Sequence, residues 1–167
     1  MSGPTSLPDA APLTGWGRTM PAPAQVVTGS SRDVERLARA VKETPRGGIS
    51  RGLGRSYGDP AQRSGGVVVR LVDSVQDVVL DVAAGTATVP AGVSLDELLR
   101  VLVPRGFFVP VSPGTRFVTV GGAIASDIHG KNHHVEGSFG NHVQRLSLLL
   151  ADGTVAELGP AQRPGLF

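Results

Sequence analysis

Glycine limits what this chain can fold into more than any other residue. Twenty-three of 167 positions are glycine and thirteen are proline, and together they cut the apolar sequence into short runs. They form neither a collagen-like period nor one long linker. The pattern is that of many tight turns and of backbone brought close to another surface, because a residue without Cβ takes left-handed conformations and permits close approach. The rest of the composition, 40% hydrophobic and 18% charged, is that of a folded globular protein and not of a disordered one. The length suffices for one domain or two small lobes.

Met1 to Pro12 is small, polar and proline-rich, and reads as a disordered tail without the basic start and apolar stretch of a secretory signal. Ala24 to Thr28 then reads as a strand. Ser30-Ser31-Arg32-Asp33 resembles a capping box opening a helix on which Val34, Leu37, Ala38 and Val41 repeat. The helix ends at Pro45-Arg46-Gly47-Gly48. Ile49 to Leu53 and Val67 to Leu71 are further strands, so residues 13–72 make a small α/β lobe with parallel pairing. Residues 73–167 read differently. Val78 to Val82 and Thr86 to Val89 form a hairpin across Ala84-Gly85. Ser94-Leu95-Asp96-Glu97 caps a helix carrying Leu95, Leu98, Leu99 and Leu102. Phe107 to Val111 reads as a strand, and Val143 to Leu150 with Val155 to Leu158 as a hairpin across Asp152-Gly153. The expected class is α+β, a parallel lobe followed by a mainly antiparallel one.

Several functions are excluded early. A net charge of +2 with five Phe, one Tyr and one Trp gives neither the basic face nor the stacking platforms of a nucleic-acid binder. No cysteine is present, which removes disulfides, thiolate metal sites and a cysteine nucleophile from this segment. No apolar run reaches the length of a membrane span.

Two glycine-rich segments carry the chemistry. Arg51-Gly52-Leu53-Gly54-Arg55-Ser56-Tyr57-Gly58-Asp59 follows a strand, and its three glycines let backbone N–H groups turn toward one anionic guest, a diphosphate. Arg51, Arg55 and Ser56 add charge and a hydroxyl donor. The spacing fits neither the Rossmann fingerprint nor a P-loop, and a glycine-rich surface turn would look the same. The second runs from Pro113-Gly114-Thr115-Arg116 through Thr119-Val120-Gly121-Gly122-Ala123-Ile124-Ala125-Ser126-Asp127-Ile128-His129-Gly130. A helix starting at Gly121 would point free N–H groups at phosphate or ring oxygens, whereas a helix packed tightly on a sheet selects the same small residues. His129 and His133 stand at i, i+4, but Gly130 weakens a helix there and no carboxylate completes a ligand set, so no metal is expected. A polar loop beside a cofactor and a solvated loop both remain open.

Together, Thr14 to Arg18, Arg51 to Asp59, Pro113 to Arg116, Gly121 to His134 and Gly137-Ser138-Phe139-Gly140-Asn141-His142 resemble the decaprenylphosphoryl-β-D-ribose 2′-oxidase family. It is a branch of the vanillyl-alcohol-oxidase-type FAD superfamily. The run from Asp127 to His134 sets it apart from general sugar-acid and alditol oxidases. The resemblance implies a two-lobed FAD-binding domain with FAD between the lobes. Ser50, Arg51, Gly52, Leu53, Gly54, Arg55, Ser56, Tyr57, Gly58, Asp59 and Pro60 would cradle the diphosphate. Gly114, Thr119, Val120, Gly121, Gly122, Ser126, Asp127, Ile128 and His129 would line the flavin. His129 and Lys131 would act near the sugar.

The reaction so implied is oxidation of the 2′-hydroxyl of a polyprenyl-phosphate-linked ribose to the 2′-keto sugar, completed by a partner keto-reductase in arabinan cell-wall precursor synthesis. Ser56 and Tyr57 stand where other relatives place a linking histidine, so the FAD is expected to be non-covalent. The family continues past Phe167 into a substrate domain, which implies a C-terminally truncated chain, its second lobe incomplete and its substrate domain absent, that is inactive alone. Lack of a signal gives a cytoplasmic default; the lipid-linked substrate implies peripheral work at a membrane, with its periplasmic face left open. The alternatives are a sugar, alditol or aldonolactone oxidase of the same superfamily, or a non-catalytic flavin-binding module.

Overall fold

The computed structural model describes residues 9–18, 20–162 and 165, and contacts divide the chain into two compact units, with the change at Asp73 and Ser74. In the first unit β1 (Ala10–Leu13), β2 (Ala22–Gly29), β3 (Gly48–Ser50) and β4 (Val67–Leu71) make one sheet in the order β1-β2-β4-β3. β4 runs parallel to both β2 and β3, while β1 is antiparallel to β2. β4 lies inside the sheet, which is why it is a continuous apolar run: Val67, Val68 and Val69 are all buried. Helix α1 (Val34–Lys42) lays Leu37 and Ala40 on the sheet, packed with Val27, Val67 and Val69. The helical spacing and the parallel pairing expected for this lobe are both present.

Two expectations here need correction. Ala10 to Pro12 is not tail but part of β1, where Ala-Ala-Pro-Leu pairs with β2 residue by residue; residues 1–8 lie outside those described. Pro12 is tolerated because β1 is an edge strand. Nor does the Ser30–Asp33 segment form a capping box. Asp33 is the N-cap of α1 without a side-chain cap bond: the Ser30 hydroxyl donates to Asp73 at 2.9 Å and accepts the Arg32 amide at 3.2 Å, the Asp33 amide goes to Ser30 O, and the Ser31 amide bonds Asp73 at 2.7 Å. The Asp33 carboxylate turns back to accept the Ser30 amide.

The second unit contains β5 (Val79–Asp81) and β6 (Thr86–Thr88), then α2 (Leu95–Leu102), α3 (Val120–Ala125), α4 (His133–Glu136), β7 (Leu146–Leu149) and β8 (Val155–Leu158). Both strand pairs are antiparallel hairpins, turning at Gly85 and Gly153, each in the left-handed region at φ +65° and +86°. The α2 capping box is complete: the Ser94 hydroxyl accepts the Glu97 amide, and the Glu97 carboxylate accepts the Ser94 amide at 2.9 Å. Leu95, Leu98 and Leu102 form the core with Val93, Val109 and Val120. Phe107 to Val111 is not a strand. Val109 and Val111 are buried and Phe108 is exposed, so the segment contributes to the core while its backbone has no ladder partner among the described residues. With parallel pairing in one unit and antiparallel pairing in the other, the fold is the α+β arrangement expected.

Candidate cofactor site

In the first unit, β3 ends at Ser50 and the chain enters the glycine-rich loop, which side chains and backbone fasten at both ends. The Arg51 amide donates to Val69 O at 2.8 Å, continuing the β3–β4 pairing. The Arg51 guanidinium donates to the carbonyls of Thr14 and Ala61, the latter at 3.0 Å. Burial, and then the charge of Arg70, lower the Arg51 pKa from its ordinary value, yet guanidinium stays charged. Arg51 therefore serves the loop as a clamp on two carbonyls, with those hydrogen bonds directed into the protein. Farther along, the Trp16 amide donates to Ser56 O at 3.1 Å and the Gly15 amide to the Asp59 carboxylate at 3.2 Å. The Arg55 guanidinium carbon lies 4.7 Å from the Trp16 ring centroid.

Between these anchors, the amides of Gly52, Leu53, Gly54, Ser56, Tyr57 and Gly58 donate to no acceptor among the described residues. Gly54 takes φ +68°, and a Cβ there would come within 3.0 Å of the Arg51 guanidinium carbon. Tyr57 is 91% exposed. A fastened loop with a run of uncommitted N–H donors and a glycine in a left-handed conformation suits the oxygens of a diphosphate. Gly58 has neither a positive φ nor crowding, its nearest neighbour being Pro60 Cδ at 3.8 Å. Asp59 and Pro60 close the loop; the Asp59 carboxylate is held by Gly15 and Gln62.

The second segment departs from expectation. The donors at the start of α3 are not free: the Val120 amide bonds Val93 O and the Gly121 amide bonds Ala91 O, both at 2.8 Å. Thr119, itself buried, accepts the Gly122 amide on its hydroxyl and the Ala123 amide on its carbonyl. Val120 packs in the core. A Cβ on Gly121 would lie 3.0 Å from Ala91 Cβ and 3.1 Å from Ala91 O, so tight packing accounts for this glycine. Gly121→Ala should accordingly destabilise the flavin-free protein by about 1–3 kcal/mol, as overpacking does. Denaturant melts of the apoprotein check it; a glycine needed only for a ligand would leave them unchanged.

Gly114 is exposed and uncrowded. Arg116 was not singled out as a site residue, yet it anchors this loop. Its guanidinium pairs with Asp96 on α2, which also accepts Arg100 at 3.0 Å. Burial pushes the Asp96 carboxyl up, and the bonds from Arg100 and Arg116 outweigh it, leaving it below its ordinary value. No local spacing links Asp96 to Arg116, and only the fold brings them together.

Beyond α3, Ser126, Asp127 and His129 are exposed while Ile128 packs on the core. The Asp127 carboxylate accepts the Gly140 amide at 2.8 Å. That bond first, then the Ser138 hydroxyl, hold its pKa below the ordinary range against a smaller desolvation cost, with His129 adding to the lowering. A carboxyl depressed in the folded state stabilises it above the unfolded value, and the contribution is lost as pH falls through the lowered one. His129 is bridged to Ser138, and α4 begins only at His133, so His129 and His133 do not share a helical face. Their rings are 5.4 Å apart. Lys131 is exposed in the same loop, which Asn132 ties to Pro110 O at 2.9 Å.

A glycine-rich loop of open amides after a parallel strand, fastened by Arg51, Trp16 and Gly15, suits a diphosphate without the Rossmann fingerprint. Residues 22–159 match the FAD binding domain family, and the chain belongs to it; its cofactor is FAD. The chain is 52% identical over 151 residues to decaprenylphosphoryl-beta-D-ribose oxidase of Mycolicibacterium smegmatis, covering 89% of this chain and 33% of that protein. It is 31% identical over 108 residues to D-lactate dehydrogenase of Archaeoglobus fulgidus, 65% of this chain and 24% of that one. D-2-hydroxyglutarate dehydrogenase of Escherichia coli shares 28% over 147 residues, 82% of this chain and 14% of that one. The chain spans a third or less of the length of these relatives.

Proposed function

We propose that this chain is the FAD-binding part of an oxidoreductase that oxidises the ribose 2′-hydroxyl of a polyprenyl-phosphoribose to the 2′-keto sugar. The observation carrying this reading is the 52% identity over nine-tenths of the chain to a decaprenylphosphoryl-beta-D-ribose oxidase, against 31% or less to the hydroxy-acid dehydrogenases named above. FAD, when bound, supplies the hydride acceptor. The amides of the Gly52–Gly58 loop and the Ser56 hydroxyl would bind its diphosphate, while Ser126 and His129, both exposed, would face the flavin; Ile128 is packed on the core and the Asp127 carboxylate is taken by the Gly140 amide. His129 and Lys131 hold the sugar hydroxyl from an exposed loop. The product is a ketone, so a partner keto-reductase completes an epimerisation at the same carbon, in the making of arabinan precursors. Among the described residues no helix is long and apolar enough to cross a membrane; a lipid-linked substrate would be met by peripheral contact.

With Ser56 and Tyr57 in the loop and no histidine there, FAD is held without a covalent bond. Acid precipitation should release all flavin into the supernatant; fluorescence left on the polypeptide would contradict this. The reaction is tested in the flavin-loaded protein, carried at the full length of its relatives. Anaerobic polyprenyl-phosphoribose should bleach the flavin absorbance and D-lactate should not. Bleaching by D-lactate alone would replace the sugar reading with a hydroxy-acid one.

A further inference from the structure

We propose that Asp127 is a positioning residue for His129, acting through the Gly140 amide and touching neither cofactor nor substrate. This rests on the reading of His129 as the sugar-facing group. Asp127 ends α3 in a Schellman arrangement: the Ile128 amide bonds Ala123 O at 3.1 Å and the Asp127 amide bonds Ile124 O at 3.0 Å. The residue at this corner must be left-handed, a position that glycine usually fills. Among the described residues glycine fills seven other left-handed positions and Arg18 one more at φ +53°, and here the chain places aspartate at φ +38°. A Cβ in that conformation is strained, so the side chain has to return something that glycine could not.

What it returns is a cross-link. Asp127 accepts the Gly140 amide, Ile128 O accepts the Phe139 amide at 2.8 Å, and His129 bridges Ser138. Three successive residues are thereby stitched to Ser138, Phe139 and Gly140. Gly140 is matched to the contact, since a Cβ there would lie 2.9 Å from Asp127 Oδ1. Ile128 packs on the core and His129 is exposed, so fixing the corner fixes the direction in which the imidazole leaves the turn. The loop between the two stitched segments is closed by the same bonds, and it carries Lys131.

The test separates the corner from its occupant. Asp127→Gly keeps the left-handed backbone and removes the acceptor, whereas Asp127→Asn keeps an acceptor and tolerates the conformation. In the FAD-loaded chain, Asp127→Gly should retain flavin, speed hydrogen exchange of the Gly140 amide by at least about tenfold and move the His129 ring resonances. Asp127→Asn should restore both. Gly140→Ala, which presses on the same contact from the other side, should move His129 in the same way. In the full-length protein, kcat of Asp127→Gly should fall by roughly ten- to a hundredfold, the cost of misplacing a reacting group by about an ångström, with KM nearly unchanged. Unmoved His129 signals in both Asp127→Gly and Gly140→Ala would overturn the proposal, as would loss of FAD with Gly140 exchange unaltered. If the parent enzyme fails to oxidise polyprenyl-phosphoribose, the functional reading falls, and the exchange and ring signals still decide the role of Asp127.

Discussion

A Gly54→Val variant is expected to lose its flavin. At φ +68° the backbone of Gly54 is left-handed, which a β-branched side chain adopts only under strain. Its Cβ would also stand within 3.0 Å of the Arg51 guanidinium carbon, the group that fastens the loop to Thr14 and Ala61. The loop would relax by turning its backbone, and the amides from Gly52 to Gly58 would no longer converge. Losing two hydrogen bonds to charged oxygens, at about 1.5–3 kcal/mol each, weakens FAD by at least about a hundredfold. Flavin retained through gel filtration, followed by titration with FAD, measures it; a variant that stays fully yellow removes this loop as the diphosphate cradle. Gly58→Ala is the control. Its surroundings are open, so lost affinity there reports nearness to the ligand and not a distorted loop.

Arg51→Met should do comparable damage by another route. The guanidinium spans two carbonyls, of Thr14 before the loop in sequence and of Ala61 just after it. Bonds from a charged donor contribute about 1.5–3 kcal/mol apiece. Removing both should lower the stability of the first unit by about 2–4 kcal/mol after relaxation and hydration of the exposed carbonyls, and FAD affinity should fall with it. Arg51→Lys should rescue little, because an ammonium is a point donor and cannot reproduce the planar fork. Thermal melts with and without FAD separate the two effects. A variant with normal apoprotein stability but weak flavin binding would instead make Arg51 a direct phosphate ligand.

Local chemistry is what the sequence made readable. The Ser94–Glu97 box spans four residues and formed as spaced; Gly85 and Gly153 marked their hairpins because a left-handed turn residue is a local requirement. Long-range partners were not readable. Ala10 to Leu13 has no alternation and contains a proline, so only β2 makes it a strand. Phe107 to Val111 has strand composition but, among the described residues, has a place for Val109 and Val111 in the core and no ladder partner. Ser30 has the look of a cap, but its hydroxyl accepts the Arg32 amide and donates to Asp73, forty-three residues on. At the site the same division holds. The first loop announced itself through its glycines, whereas the donors of α3 were claimed by Ala91 and Val93 from a turn nearly thirty residues earlier. Asp127 gave no sign of being left-handed, since its reason, the Gly140 amide, lies thirteen residues away.

The outer strands of the first sheet bear on how the protein survives in a crowded cell. An open sheet invites other chains to add strands, because its border residues present unpaired N–H and C=O groups. Here one border, β1, is four residues long with a proline inside it, and the other, β3, has only three residues. A foreign strand would find too short a template on one side and a missing donor on the other. The apolar β4, the segment most prone to stacking with its own kind, is shielded between β2 and β3. The sheet thus guards against amyloid-like growth through the brevity of its margins, without needing charge along them.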